Sequence, residues 1–204
     1  MSRELQISLR LLTREQKESP EFHLVDCGAP TMAGMKAASM FNVQFLSGQE
    51  LTDWVRRKNL AFLRAGLRFC VLNQSGGNAM ILVFRKRMLG EVLKDPEVRG
   101  FLSECGYSAC GLYAYFSELK ARVRSCGPGS FPHEIGIFLG YPLCDVRGFI
   151  TMKGQGCKAR GLWKVYGDVE KTRAVFRKYQ RCREVYWKLW ITGQRTLTEL
   201  VAAC

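Results

Sequence analysis

The sequence predicts an α+β protein, a single domain with a small, mostly antiparallel sheet packed against several helices. Two observations lead there. Leu67 to Leu72 and Ala79 to Phe84 are apolar runs joined by Asn73-Gln74-Ser75-Gly76-Gly77-Asn78, and such a turn-rich join between apolar runs makes a β-hairpin. Around that hairpin, several longer segments carry apolar residues at helical spacing. No internal repeat, low-complexity segment or linker interrupts the 204 residues, so residues 1–204 read as one domain, with 1–20 as a peripheral arm.

Taken in order, Leu5, Ile7, Leu9 and Leu11 alternate like a strand, while Leu5, Leu9 and Leu12 fit a helix equally well. Phe22 to Val25 is a short apolar run ending at Asp26-Cys27-Gly28, which predicts a strand entering a tight loop. Thr31, after Pro30, is placed to cap a helix reaching about Met40. Ser47-Gly48-Gln49-Glu50 has the hydroxyl-to-carboxylate spacing of a capping box. The helix it opens would bury Leu51, Trp54, Val55, Ala61 and Phe62 and stop at Gly66. After the hairpin, Met88 to Leu93 and Val98 to Cys105 predict two short helices split at Asp95-Pro96. Leu112 to Val123 predicts another, with Leu112, Tyr115, Phe116, Leu119 and Val123 on one face.

The densest stretch follows Cys126-Gly127-Pro128-Gly129. In Phe131-Pro132-His133-Glu134-Ile135-Gly136-Ile137-Phe138-Leu139-Gly140-Tyr141-Pro142, Ser130 is placed to cap and Pro132 to lead a first helical turn. Gly140 would end that helix and Pro142 would start the next. The second helix would bury Leu143, Val146, Phe149 and Ile150, stopping at Gly154. Gly161 to Tyr166 reads as a strand. Asp168 then caps a long helix to about Trp190, with Val175, Phe176, Tyr179, Cys182, Tyr186, Leu189 and Trp190 as its stripe. Full burial of such side chains contributes roughly 1.5–3 kcal/mol each, so packing alone accounts for the aromatics. Thr196 to Val201 predicts a closing helix.

Two motifs, FPHEIGIFLGYPLCDVRGFI and GLWKVYGDVEKTRAVFRKY, with a further patch CGAPTMAGMKAASMF, resemble an uncharacterised bacterial family of domains of unknown function found mainly in anaerobes. The resemblance runs from about Phe22 to Tyr186. It implies membership and brings no reaction, cofactor or partner with it.

Composition narrows the classes further. There is no run of 18 apolar residues, and Arg3, Glu4 and Arg10 interrupt the early apolar region, so neither a membrane span nor a signal peptide is expected. Nine scattered cysteines, an odd number without a C-x-x-C pair, suit reduced thiols in the cytoplasm better than a disulfide framework. With two histidines, a structural zinc site is not expected. No phosphate-binding loop, dinucleotide fingerprint or nucleophile elbow occurs. His133-Glu134 opens like a zinc-protease motif, but Ile137 stands where its second histidine belongs.

Three groups of residues remain as candidates. Cys27, in the loop expected before a helix N-terminus, would be a nucleophile with a lowered pKa or a soft metal ligand, with Lys36 to help and Thr31 and Lys36 as ligand-binding residues. His133 and Glu134 open the central helix, where a neutral imidazole beside a carboxylate suits a general base or a metal ligand. We expect Cys27 and His133 to line one pocket for a small molecule, an anion or a metal-containing cofactor, and no particular cofactor is specified. The third group is basic. Net charge is +13, and residues 151–204 carry 12 Lys/Arg against 4 Asp/Glu, or +8 of that excess. Lys153, Lys158, Arg160 and Lys164 surround Trp163, an arrangement that in other proteins serves nucleic acid or an acidic protein partner. A small anionic ligand is the favoured partner and nucleic acid the alternative, since charge runs on helices are usually solvated faces.

Overall fold

Ser19 and Pro20 set the first large element. The Ser19 hydroxyl accepts from the Phe22 N–H and Pro20 occupies the first helical turn, where its missing N–H costs nothing. In the computed structural model, which describes residues 12–108, 111–127 and 130–201, helix α1 covers Arg14–Glu18 and α2 covers Pro20–Met32. The chain forms two compact units, residues 87–178 and the described residues on either side of them. The alternating leucines at 5–11 lie outside the described residues.

Helix α2 corrects two expectations. Phe22 to Val25 is helical, and so is Asp26-Cys27-Gly28, so no loop surrounds Cys27. Thr31 closes this helix and starts none. A run of four apolar residues cannot by itself separate strand from buried helix, and the decisive cue was the Ser-Pro start upstream. The stop lies at Gly34, at φ 69°. There the Met35 N–H reaches the Pro30 carbonyl at 2.8 Å and the Gly34 N–H reaches that of Thr31 at 3.1 Å, the paired bonds of a Schellman ending. Buried Arg85 adds its guanidinium, donating to the carbonyls of Thr31, Met32 and Ala65.

Past that stop the chain enters strand β1, Ala38–Gln44, in place of the helix expected to Met40. Helix α3 covers Gly48–Ala61, and strands β2 and β3 cover Leu67–Ser75 and Asn78–Arg85. The sheet is antiparallel in the order β1-β3-β2. Its hairpin is tighter than the six-residue join suggested. Gly76 and Gly77 alone form the turn, at φ 54° and 82°, the positive values that a two-residue hairpin turn matching strand twist requires. Leu72 is the extra residue of a bulge, since the register shifts between Val71 and Asn73.

On one sheet face, Phe41, Val43, Phe69, Ile81 and Val83 pack with Leu24 and Met32 of α2 and Leu51 and Trp54 of α3. The capping box holds with one variation. Ser47 accepts from the Glu50 N–H, while the Glu50 carboxylate accepts from Leu46. Asn59 of α3 covers the outer edge of β2, exchanging two hydrogen bonds with the Phe69 backbone at 2.9 and 3.0 Å.

The 87–178 unit is mainly helical. Helix α4 covers Lys86–Lys94, α5 covers Pro96–Glu104 with Asp95 as its cap, and α6 covers Leu112–Ser125. The split at Asp95-Pro96 and the α6 face of Tyr115, Phe116, Leu119 and Val123 agree with the sequence pattern. Helix α7 is shorter than expected, a single turn at Ile135–Phe138, and its cap position is Glu134 and not Ser130. Helix α8 covers Leu143–Thr151. Strands β4, Ala159–Arg160, and β5, Lys164–Val165, pair as a minimal hairpin. Helix α9, Val169–Ile191, crosses from this unit into the other, and α10 covers Leu197–Leu200. Asp168 and Thr196 cap these last two as their spacing indicates. The most buried aromatic of α9 is Trp187, outside the expected stripe, and its indole donates to Asp26 at 3.1 Å.

Candidate functional site

A cleft of about 290 Å³ lies wholly within the 87–178 unit, between the α7–α8 corner and the β4–β5 hairpin. It is where the two long sequence motifs meet. Phe131, His133, Ile135, Tyr141 and Phe149 come from the first motif, and Leu162, Trp163 and Lys164 from the second. The volume falls just below the roughly 300–1,000 Å³ typical of ligand clefts.

Asp145 builds the cleft. It lies in the first turn of α8 and is 2% exposed. Its Oδ2 accepts from the Trp163 indole N–H at 2.7 Å. Its Oδ1 accepts from the backbone N–H groups of Tyr166 and Gly167 at 2.7 and 2.8 Å. Three donors on one buried carboxylate replace the water it has lost, and they fasten the hairpin to α8. Trp163 is thereby fixed against Tyr141, stacked at 4.5 Å and 24°, and meets Phe176 edge-on at 4.5 Å. Gly148 permits the approach, because a Cβ there would stand 2.5 Å from Tyr166 Cβ.

Helix α8 explains why the cleft is open. Its apolar stripe was expected to be core, and Val146 is buried. Phe149, however, faces the cleft and Ile150 is exposed. Lys164 supplies the cationic group. Its ammonium donates to the Gly154 carbonyl at 2.8 Å and lies 5.4 Å from the centre of the Phe149 ring.

The other expected site residues fall as follows. His133 is exposed, lines the cleft and meets Phe149 edge-on at 4.7 Å. Glu134 is turned elsewhere. It is buried, accepts from the Tyr107 hydroxyl at 3.3 Å, and lies 3.6 Å from the Arg122 guanidinium, which itself covers the Tyr107 ring at 4.2 Å. Burial, then the Glu134 carboxylate, hold the Tyr107 hydroxyl far above its usual pKa. Adjacent in sequence, His133 and Glu134 thus serve different surroundings. Lys153, Lys158 and Arg160 are exposed on the segment leading into the hairpin, and Lys158 donates to the Gly167 carbonyl at 3.2 Å. Trp163 is packed among Tyr141, Phe176 and Asp145, which limits its use as a platform for bases.

Cys27 and Lys36 belong to the other unit. The activated thiol expected of Cys27 is corrected by its place inside α2. Part of its surface reaches solvent, yet surrounding protein and then the Asp26 carboxylate push the thiol up to about 11. At neutral pH it is a protonated thiol and a poor nucleophile. Burial also brings Lys36 down to about 8. Thr31 is fully buried, its hydroxyl 2.9 Å from that of Ser39. Among the described residues no group of three or more His, Cys, Asp or Glu side chains could hold a metal ion.

Among the cleft residues, Tyr141 and Asp145 carried no expected role in a site, Phe149 was expected in the core, and Trp163 stood out only as the aromatic within the basic group. The available signal for Asp145 was a carboxylate in a Pro-led first turn between apolar positions, where an unpartnered charge would be costly.

Fold and cleft define an α+β protein with a motif-built aromatic site and no nucleotide-binding signature. The chain belongs to the DUF3793 family, described as proteins of unknown function, whose model matches residues 24–201. No curated protein and no solved structure matches the chain. Among the described residues no helix is long and apolar enough to cross a membrane.

Proposed function

We propose that this is a small-molecule-binding protein whose site is the aromatic cleft between α8 and the β4–β5 hairpin. The observation that carries the reading is the Asp145 anchor. A buried carboxylate with three donors spends hydrogen bonds to hold Trp163 and the hairpin beside an apolar surface that stays open. Preformed apolar walls with a few polar groups at their ends are the ordinary build of a ligand site. His133 and Lys164 are those polar ends, and Cys27 is not required. A cytoplasmic setting with reduced thiols, expected from the cysteine pattern, is part of this proposal.

Leu162 offers a clean test, because it lines the cleft and is 51% exposed. Ligand-observed NMR with a panel of small aromatic compounds should give saturation-transfer signals for the wild-type chain that vanish in Leu162→Asp. Signals of equal strength in both proteins, or none with the wild type, would remove the cleft as the site.

A further inference from the structure

We infer that the ligand of this cleft carries an anionic group, a carboxylate or a phosphate on an aromatic or branched apolar body, and that Lys164 is the residue that receives it. The inference rests on the cleft being the ligand site.

The charge inside the cleft decides the sign. Two of its lining residues, Asp145 and Lys164, bear formal charges at neutral pH. The Asp145 charge is already answered by the Trp163 indole and two backbone N–H groups. Lys164 is answered less fully. An ammonium has three N–H donors, and the Gly154 carbonyl takes one at 2.8 Å. Among the described residues no carboxylate lies within ion-pair distance of it. The Phe149 ring beneath it contributes a weak cation–π attraction. A lysine tethered by one backbone carbonyl is oriented, yet keeps donors for a guest. The tether also fixes where the charge stands, beside a lining ring and not out on a mobile stem.

The surroundings favour the same sign. Lys153, Lys158 and Arg160 are exposed on the segment that leads into the hairpin wall, and such a basic approach raises the local concentration of anions. Leu162 and Met152, 51% and 49% exposed, add apolar surface suited to the body of an amphipathic guest. A neutral guest would leave the Lys164 donors partly desolvated without a partner, which lowers its affinity relative to an isosteric anion.

Equilibrium binding of a matched pair, indole-3-acetate and indole-3-acetamide, tests this with the 204-residue chain. The two differ in charge and barely in shape. The wild-type chain should bind the acetate about ten-fold or more tightly than the amide, the factor expected of a charge-assisted hydrogen bond. Lys164→Met, which keeps the apolar stem, should bring the ratio of acetate to amide affinity down to about one. Equal binding of both probes to the wild type would overturn the anionic assignment and leave the cleft reading standing. Failure of both probes to bind would overturn both. The wild-type comparison does not depend on the variant folding.

Discussion

The Cys27–Lys36 corner and the Asp145 anchor both take ionisable groups at least partly out of water, and they resolve the problem in opposite ways. In the corner, burial pushes the Cys27 thiol up to about 11 and the Lys36 ammonium down to about 8. Both shifts favour the uncharged form, as desolvation does when compensation is incomplete. At the anchor, a carboxylate 2% exposed collects three short hydrogen bonds. Burial alone therefore does not mark a reactive group in this protein. The corner contains the residue type most associated with catalysis, yet its surroundings quiet it. The anchor holds an aspartate whose hydrogen bonds shape the wall of the cleft.

The widest separation of the two regions should come from removing the anchor. Asp145→Ala leaves the Trp163 indole and the Tyr166 and Gly167 N–H groups without their acceptor, and each orphaned buried donor costs about 1–3 kcal/mol. Partial rehydration on a surface unit reduces the total, so a loss of about 4 kcal/mol is expected in urea unfolding. Asp145→Asn should cost about half as much. Its oxygen can still serve the two backbone donors, while its amide nitrogen opposes the indole N–H. Cys27→Ser in the other region should stay within about 0.5 kcal/mol at neutral pH, as substitutions away from such features usually do. An Asp145→Ala protein as stable as Cys27→Ser would erase the distinction.

A smaller effect tests whether close approach, as well as hydrogen bonding, holds the hairpin to α8. A Cβ on residue 148 would stand 2.5 Å from both Cβ and Cγ of Tyr166, atoms too near the backbone to swing aside. Gly148→Ala gains helix propensity but overpacks, and the overpacking should dominate with a net loss of about 2 kcal/mol. Near-ultraviolet circular dichroism, sensitive to the Tyr141–Trp163 stack, should change in the folded variant. A more stable Gly148→Ala with an unchanged spectrum would show that the approach is slack.

What could be read from the sequence divides along similar lines. The β2–β3 hairpin, the Ser47 cap, the Asp95-Pro96 split and the α6 face were legible, because each depends on residues a few positions apart. The α2 helix was misread because Phe22 to Val25 is too short for its period to decide, and Pro30 looked like a boundary although it lies within the last turn of a helix ended by Gly34. His133, expected to share a pocket with Cys27, and Lys164, expected in a basic group around Trp163, both line the cleft within the 87–178 unit. The anchor was not legible. Asp145 meets Trp163 and Tyr166 across a reversal of the chain, and no local period encodes a hydrogen bond of that span.

The finest test is made in the corner itself, where the two shifts give pH slopes of opposite sign. Lys36 has an ordinary value of 10.5 and stands at about 8 in the folded chain. Between those values the unfolded chain binds the extra proton, so this group makes stability rise with pH. Cys27 has an ordinary value of 9.0 and stands at about 11 when folded. Between those values the folded chain keeps the proton, so this group makes stability fall with pH. The stability of wild type minus that of Lys36→Met should therefore climb from pH 8 towards 10.5. Wild type minus Cys27→Ser should decline from pH 9 towards 11, with the shallower slope because part of the thiol surface reaches solvent. Urea unfolding of the three proteins across that range gives both differences and cancels the tyrosines that titrate in all of them. Two flat differences would mean that water solvates the corner, and that its cysteine is not held as an inert thiol by its surroundings.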